Sequence, residues 1–273
     1  MHPRHRLSAT CAAVFLLFGA AAATALAVGY PSFIRVNANG GFDPGCQLLG
    51  AKGGWQENDS GTDYPGRTTI ERNIVAQGRC AAKFFGRAGG PTRAELQFGI
   101  RSARPIFTYE FLTYIPRGAG YPSEGTTLIQ TKNPKDPATG RGCYGGGVSF
   151  GNHGHSNFSP NGLTLTTVSQ CTRRQRHGQR NFQLVRHAPL GRWFAVKVHE
   201  KFADNSRGFV EAWYDDDGPG PDPYTKVRPR TYGDNLPISS EPYVKIRQGS
   251  YRPATNHNTW IYGDGFRLTC QRC

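Results

Sequence analysis

The run Arg93-Ala94-Glu95-Leu96-Gln97-Phe98-Gly99-Ile100-Arg101 alternates polar and apolar side chains with a period of two. Successive strand residues face opposite sides of a sheet, so Ala94, Leu96, Phe98 and Ile100 share one face while Arg93, Glu95, Gln97 and Arg101 share the other. The pattern recurs downstream. In 193–201, Phe194, Val196 and Val198 oppose Lys197, His199 and Lys201, and in 243–248, Val244 and Ile246 oppose Tyr243, Lys245 and Arg247. A solvated sheet face explains any one such strand. Three with the same pattern predict a single basic surface that grips a long anionic chain.

Further period-two stretches predict strands at 68–75, 80–86, 106–115, 126–132, 145–151, 163–170, 208–214 and 260–268, separated by Gly, Pro, Asn and Asp. With 35 Gly, 19 Pro and a single Met, and with no apolar period of 3.6, the composition disfavours helices. About eleven short strands predict an all-β sandwich or jelly roll. The 215–242 stretch, which begins Asp215-Asp216-Asp217-Gly218-Pro219, reads as a long connection at the mouth of a cleft.

The first residues address the compartment. Arg4, His5 and Arg6 precede an alanine-rich apolar run, Leu7 to Leu26, that ends in Ala25-Leu26-Ala27. This is the pattern of a signal peptide over 1–27, leaving one domain over 28–273, secreted and free of the membrane. A transmembrane anchor is the rival reading of the run, but Ala and Thr make its centre weakly hydrophobic. Removing Arg4 and Arg6 from 33 basic residues leaves 31 against 19 acidic, a net charge of about +12. Such a charge attracts anionic partners without choosing among them. Nucleic acid is not expected, because no basic motif interleaved with aromatics is visible. Six cysteines remain after the leader: Cys46, Cys80, Cys143, Cys171, Cys270 and Cys273. An even number in a secreted chain predicts three disulfides with open pairing. Only Cys270 and Cys273 have zinc-ligand spacing, and no second pair completes a site.

Several segments, taken in order, resemble the jelly-roll polysaccharide lyases. Arg93-Ala94-Glu95-Leu96 resembles their Arg-x-Glu-Leu strand, and Lys245-Ile246-Arg247-Gln248-Gly249-Ser250-Tyr251-Arg252 their late strand with a reactive tyrosine. Gly191-Arg192-Trp193 resembles a Gly-x-Trp strand, Trp213-Tyr214-Asp215 a Trp-x-Asp hairpin, and Tyr262-Gly263-Asp264 the closing strand. Order and spacing are most similar to the heparin-lyase-like and glucuronan-lyase-like groups, with jelly-roll alginate lyases next, over roughly Arg79 to Thr269. The resemblance implies a concanavalin-A-like β-jelly roll, two sheets with a concave basic cleft. It also implies cleavage of an acidic, uronate-containing polysaccharide by β-elimination.

That chemistry accounts for the residue types. The proton at C5 of a uronate is weakly acidic until the neighbouring carboxylate is neutralised. A base then removes it and an acid protonates the leaving oxygen. A tyrosine, with an unperturbed pKa of about 10, needs cations nearby to serve as the base. Arg247 and Lys245 lie on the same strand face as Tyr251. The resemblance therefore assigns Tyr251, Arg93, Gln130 and Lys132 as catalytic candidates. Glu95, Gln97, Lys197, His199, Lys245, Arg247, His153 and His155 are candidates for substrate binding. The chain departs from the lyase pattern at Leu128-Ile129-Gln130-Thr131-Lys132, where Lys132 stands in place of the histidine of Gln-x-His. Lysine neutralises a carboxylate but is a poor base unless desolvated. This departure favours a module that binds acidic glycan without cleaving it, whereas Tyr251 and Arg93 favour the lyase.

Other patterns carry less. No Glu-x-Asp-x-x-Glu strand supports glycoside hydrolysis. The Asp215–Gly218 run reads as an Asp-Gly turn, with calcium ligation as its alternative, and no other cofactor is expected. Arg173-Arg174-Gln175-Arg176-His177 is a basic loop suited to phosphate or sulfate, or simply solvated. Asn58-Asp59-Ser60 and Asn157-Phe158-Ser159 are glycosylation sequons in a eukaryotic host. The protein is expected to be a monomer.

Overall fold

The computed structural model describes residues 35–36, 46, 55, 57–59, 66–100, 105–122, 125–133, 143–152, 154–168, 178–203, 205–218, 224–235 and 244–271. The chain divides into two units, Met1–Tyr30 and Pro31–Cys273, and every described residue lies in the second. The expected leader, the basic loop at 173–177, Cys171, Cys273 and His153 lie outside the described residues.

The described residues form two antiparallel sheets and no helix. In chain order the strands are β1 (Arg35–Val36), β2 (Glu57–Asp59), β3 (Gly66–Glu71), β4 (Ala81–Gly86), β5 (Thr92–Ile100), β6 (Ile106–Tyr114), β7 (Thr126–Asn133), β8 (Cys143–Phe150), β9 (Leu163–Thr167), β10 (Arg180–Val185), β11 (Trp193–Lys201), β12 (Phe209–Asp215), β13 (Thr225–Tyr232), β14 (Val244–Arg252) and β15 (Thr259–Cys270). The eight-stranded sheet runs β13-β12-β11-β6-β15-β4-β3, with β1 also paired to β15. The seven-stranded sheet runs β10-β9-β8-β7-β14-β5-β2. This is a β-jelly roll.

The apolar faces read from the alternation meet between the sheets. Leu96 and Ala94 of β5, Ile246 of β14 and Leu165 of β9 come from one side. Phe84 of β4, Phe107 and Phe111 of β6, and Phe194, Val196 and Val198 of β11 come from the other. Trp55 packs on Phe266 with ring centroids 4.5 Å apart. Truncating any of these buried phenylalanines to Ala costs about 3–5 kcal/mol. A disulfide joins Cys46 to Cys80 across 34 residues, and the loop closure it imposes is worth about 2–4 kcal/mol. Cys270 is also disulfide-bonded.

Besides the short β1 and β2, two strands escaped the sequence reading, β10 and β13. The 215–242 stretch is therefore not one long connection, since β13 occupies its middle. Both are edge strands, and β13 is exposed along most of its length with Pro229 inside it. Proline and charge are tolerated at an edge because one side of the backbone needs no sheet partner, and they erase the alternation that marks interior strands.

Candidate active site

The outer face of the seven-stranded sheet is polar. Register brings the predicted residues into rows across it. One row runs Arg93, Tyr251, Thr127, Ser149, Thr164 and Gln183 through β5, β14, β7, β8, β9 and β10. A second runs Gln97, Arg247, Gln130, Gly147, Thr166 and Asn181 through the same strands. Lys245 stands opposite Lys132 beyond the second row. The rows depend on irregularities. Between Thr127 and Ile129 the β7–β8 register shifts by one residue, and between Gln248 and Tyr251 the β14–β7 register shifts as well. A bulge of this kind re-aims side chains. Here it puts Thr127 and Gln130, three apart in sequence, on the same face.

Glu95 is the hub of this face. Its carboxylate is 1% exposed. Arg93 Nε and Arg247 Nη1 each lie 3.4 Å from its Oε2, and Gln130 Nε2 donates a hydrogen bond to its Oε1. A buried carboxylate without such partners would be strongly unfavourable. With them it fixes two guanidiniums and an amide in one place. Arg93, Arg247, Lys132 and Lys245 outnumber Glu95, so the face remains cationic. The Arg93 guanidinium also lies over the Tyr251 ring, 4.6 Å from its centroid, which holds the half-buried phenol beside positive charge.

Two features hold Tyr251 in position. The next residue, Arg252, is fully buried on the opposite face and donates to Thr259 Oγ1 at 2.6 Å, Pro253 O at 2.8 Å and Arg87 O at 2.6 Å. These bonds pin the end of β14 to β15 and to the end of β4. Gly249 faces Glu95, and a Cβ there would come within 2.1 Å of the Ala94 carbonyl oxygen. Only glycine permits that approach of the two strands, and it leaves the floor between Arg247 and Tyr251 without a side chain.

The sequence model of the polysaccharide lyase family matches residues 49–267, which include this whole face. The chain belongs to the polysaccharide lyase family. Among solved structures this lyase is similar to endo-β-1,4-glucuronan lyase from the fungus Trichoderma reesei, with a TM-score of 0.61 and 16% identity, covering 79% of this chain and 91% of that one. It is also similar to alginate lyase Aly36B, with a TM-score of 0.50 and 12% identity over 89% of this chain and 99% of the other. At these identities the likeness is one of fold. No curated protein matches the lyase in sequence.

Not every expected residue joins the site. Lys197 and His199 belong to β11, in the eight-stranded sheet, so the three basic strand faces do not form one surface. Their alternation is as expected, but a period of two cannot tell which sheet a strand joins. His199 is buried and its Nδ1 lies 2.9 Å from Glu211 Oε1. His155, in the loop between β8 and β9, has its Nε2 2.7 Å from Asn181 Nδ2. Asn181 lies on the edge strand β10, four strand spacings from β14, so His155 is roughly 15–20 Å from Tyr251. His153 lies outside the described residues. Asp215 accepts from the Asp217 backbone N–H at 3.2 Å and Asp216 pairs with Arg192 at 2.9 Å, so the acidic run forms a turn. Among the described residues no group of three His, Cys, Asp or Glu is gathered as for a metal.

The sequence reading missed the floor of this lyase, namely Thr127, Ser149, Thr164, Thr166, Asn181 and Gln183. A signal existed. Leu163-Thr164-Leu165-Thr166 alternates as cleanly as 93–101, but with hydroxyls in place of charges.

Proposed function

We propose that this lyase acts outside the cell on a uronate-containing polysaccharide and cleaves it by β-elimination, with Tyr251 as both base and acid. The observation that carries this reading is the gathering of Tyr251, Arg93, Arg247 and Gln130 around Glu95 on one sheet face. Arg247 and Gln130 receive the substrate carboxylate and hold the charge that develops as C5 loses its proton. Tyr251 Oη, as phenolate, takes that proton. The electron pair left at C5 forms the C4–C5 double bond as the C4–O4 bond breaks. The phenol then returns the proton to O4. No water is consumed, and the products are a 4,5-unsaturated uronate and a new reducing end.

A single residue in both roles fits the distances, because His155 is too far away to share them and Lys132 is a poor base. It also selects a configuration. In a 1,4-linked D-glucuronate or D-mannuronate the C5 hydrogen and O4 leave from the same side of the ring, so one hydroxyl on that side reaches both. In L-guluronate they leave from opposite sides. Charge steers the polymer to the face, and the apolar leader and oxidised cysteines support secretion.

The test is a panel of polyglucuronate, polymannuronate, polyguluronate and a neutral glucan, followed by the ultraviolet absorbance of the unsaturated product. Absorbance is expected with one or both D-uronate polymers and not with polyguluronate or the glucan. Turnover should fall as salt screens the cationic face. Absence of product from every acidic polymer would overturn the reading. If binding to acidic polymer persisted without product, Lys132 in the histidine position would support a non-catalytic glycan-binding module instead.

A further inference from the structure

The eight-stranded sheet has an outer face of its own, and it gathers three of the chain's four tryptophans, Trp193, Trp213 and Trp260. Each is half-buried rather than part of the core. On β11 to β13 the rings are capped by lysines. Lys197 Nζ lies 5.3 Å from the Trp213 ring centroid and 4.4 Å from that of Tyr224, and Lys226 Nζ lies 4.8 Å from Trp213. Ammonium groups are attracted to ring faces in this way without being neutralised. Among the described residues Lys197 has no carboxylate within ion-pair distance. Glu110, its neighbour in register, is occupied by the Tyr224 hydroxyl and by Arg267 at 4.0 Å. One row along, Lys226 and Arg230 meet Glu211 at 2.7 and 2.6 Å. Four cations therefore face three carboxylates, Glu110, Glu211 and the buried Asp215, across a platform of flat rings, with Lys226 and Arg230 exposed on the edge strand.

We propose that this platform is a second, non-catalytic site for acidic polysaccharide, distinct from the cleaving face on the other sheet. The uronate carboxylates of the chain meet Lys197 and Lys226, whose ammoniums the Trp213 and Tyr224 rings hold in place. A neutral glucan would leave the Lys197 ammonium without an anionic partner, and an apolar partner would have to strip it of water, so the charge selects an acidic chain. A polymer held here stays at high local concentration near the cleaving face, which raises apparent affinity for long chains and not for short ones. The proposal rests on the uronate reading for the identity of the polymer.

The test uses the full-length protein carrying Tyr251→Phe, so that the polymer survives the measurement, with and without the pair Lys197→Gln and Lys226→Gln. Electrophoretic retardation is read in gels containing polyglucuronate, polymannuronate or neutral dextran, and thermal unfolding confirms that the variants fold. The pair should lower retardation by acidic polymer at least threefold and leave dextran without effect. In the otherwise wild-type enzyme the same pair should raise KM for long polymer at least threefold and leave kcat/KM for a tetramer within twofold. Unchanged retardation would overturn the proposal and leave Lys226 as a guard of the edge strand against stray pairing. An equal loss on tetramer would do the same. If the wild type cleaves no acidic polymer, the uronate lyase reading falls, while the retardation experiment still decides whether the platform binds.

Discussion

Glu95 and Glu211 are the same device on opposite sheets. Each is a buried carboxylate that collects three donors. Glu95 gathers Arg93, Arg247 and Gln130, and Glu211 gathers His199, Lys226 and Arg230. They differ in what surrounds the donors. Around Glu95 the donors come from central strands, a phenol stands in the next row, and the rest of the floor is hydroxyls and amides. Around Glu211 two donors come from the edge strand, and the neighbouring rings are Trp213, Phe209 and Tyr224. A cluster of cations on a strand face thus says little about chemistry. A tyrosine held in register with an arginine, over a floor cleared by glycine, says much more.

The strongest test of that difference is Tyr251→Phe. It deletes one hydroxyl and keeps the ring on which Arg93 stacks. We expect kcat on a D-uronate polymer to fall about a hundred- to ten-thousand-fold, with little change in polymer affinity, because the lost group acts mainly in the transition state. Activity per folded molecule near wild type would show that the phenol is only structural. Arg93→Ala should behave differently, lowering kcat/KM about ten- to a hundredfold with part of the loss in KM, since a charged contact is removed from ground and transition states alike.

The two hubs can then be set against each other. Glu95→Gln leaves Arg247, 6% exposed, without its counter-charge, so we expect a loss of about 3 kcal/mol in unfolding free energy. Turnover of the remaining folded enzyme should also fall, because Arg247 and Gln130 lose the group that aims them. Glu211→Gln has partners that are 44% and 38% exposed and able to regain water, so about 1 kcal/mol is expected, with turnover unchanged. Denaturant unfolding and activity measured on the same samples separate these outcomes. A matching loss of activity in both variants would mean that the two faces are coupled.

Much of the candidate site was legible because its strands are interior. In 94–98 and 244–246 every second residue had to be apolar to fill the core, so the polar partners declared their face. Two-faced patterning does not encode sheet membership, which is why Lys197 and His199 were grouped with the wrong surface. Nor does it encode the bulges that align Thr127 with Tyr251, since those come from how β7 and β14 pair over long distances in sequence. Edge strands β10 and β13 were hidden because solvent on one side relaxes the constraint that makes alternation visible. Buried Arg252 was hidden for another reason. An arginine next to a reactive tyrosine reads as part of the site, and only its bonds to Thr259, Pro253 and Arg87 reveal a strut behind it.

The smallest expected effect is an acid dependence of stability that belongs to the Glu211 cluster. Burial alone would raise the Glu211 pKa, but hydrogen bonds from Lys226, Arg230 and His199 outweigh it and hold the carboxyl at about 2, against an ordinary value of 4.5. A carboxyl depressed on folding contributes stability that is full above about pH 4.5 and is lost as pH falls toward 2, because the unfolded chain takes up the proton first. His199 adds to this in the same direction. Its pKa is lowered by burial, and the bond to Glu211 only partly offsets that, so the folded protein resists protonating a histidine that the unfolded chain protonates below 6.5. These two groups therefore contribute a decline in two steps on acidification, a shallow one beginning near pH 6.5 and a second below 4.5. Burial raises the Glu200 carboxyl to about 8 and that of Asp215 to about 6, which favours the fold as pH falls through those values, so the Glu211 step is read as the difference between wild type and Glu211→Gln. With two partners partly open to solvent, the second step should amount to about 1–2 kcal/mol. Urea unfolding from pH 7 to pH 3 measures both steps. Glu211→Gln should remove the lower step and keep the upper one, since His199 stays buried. A variant whose acid profile matches wild type would show that the carboxyl is not held low, and the likeness between the two hubs would then be geometric only.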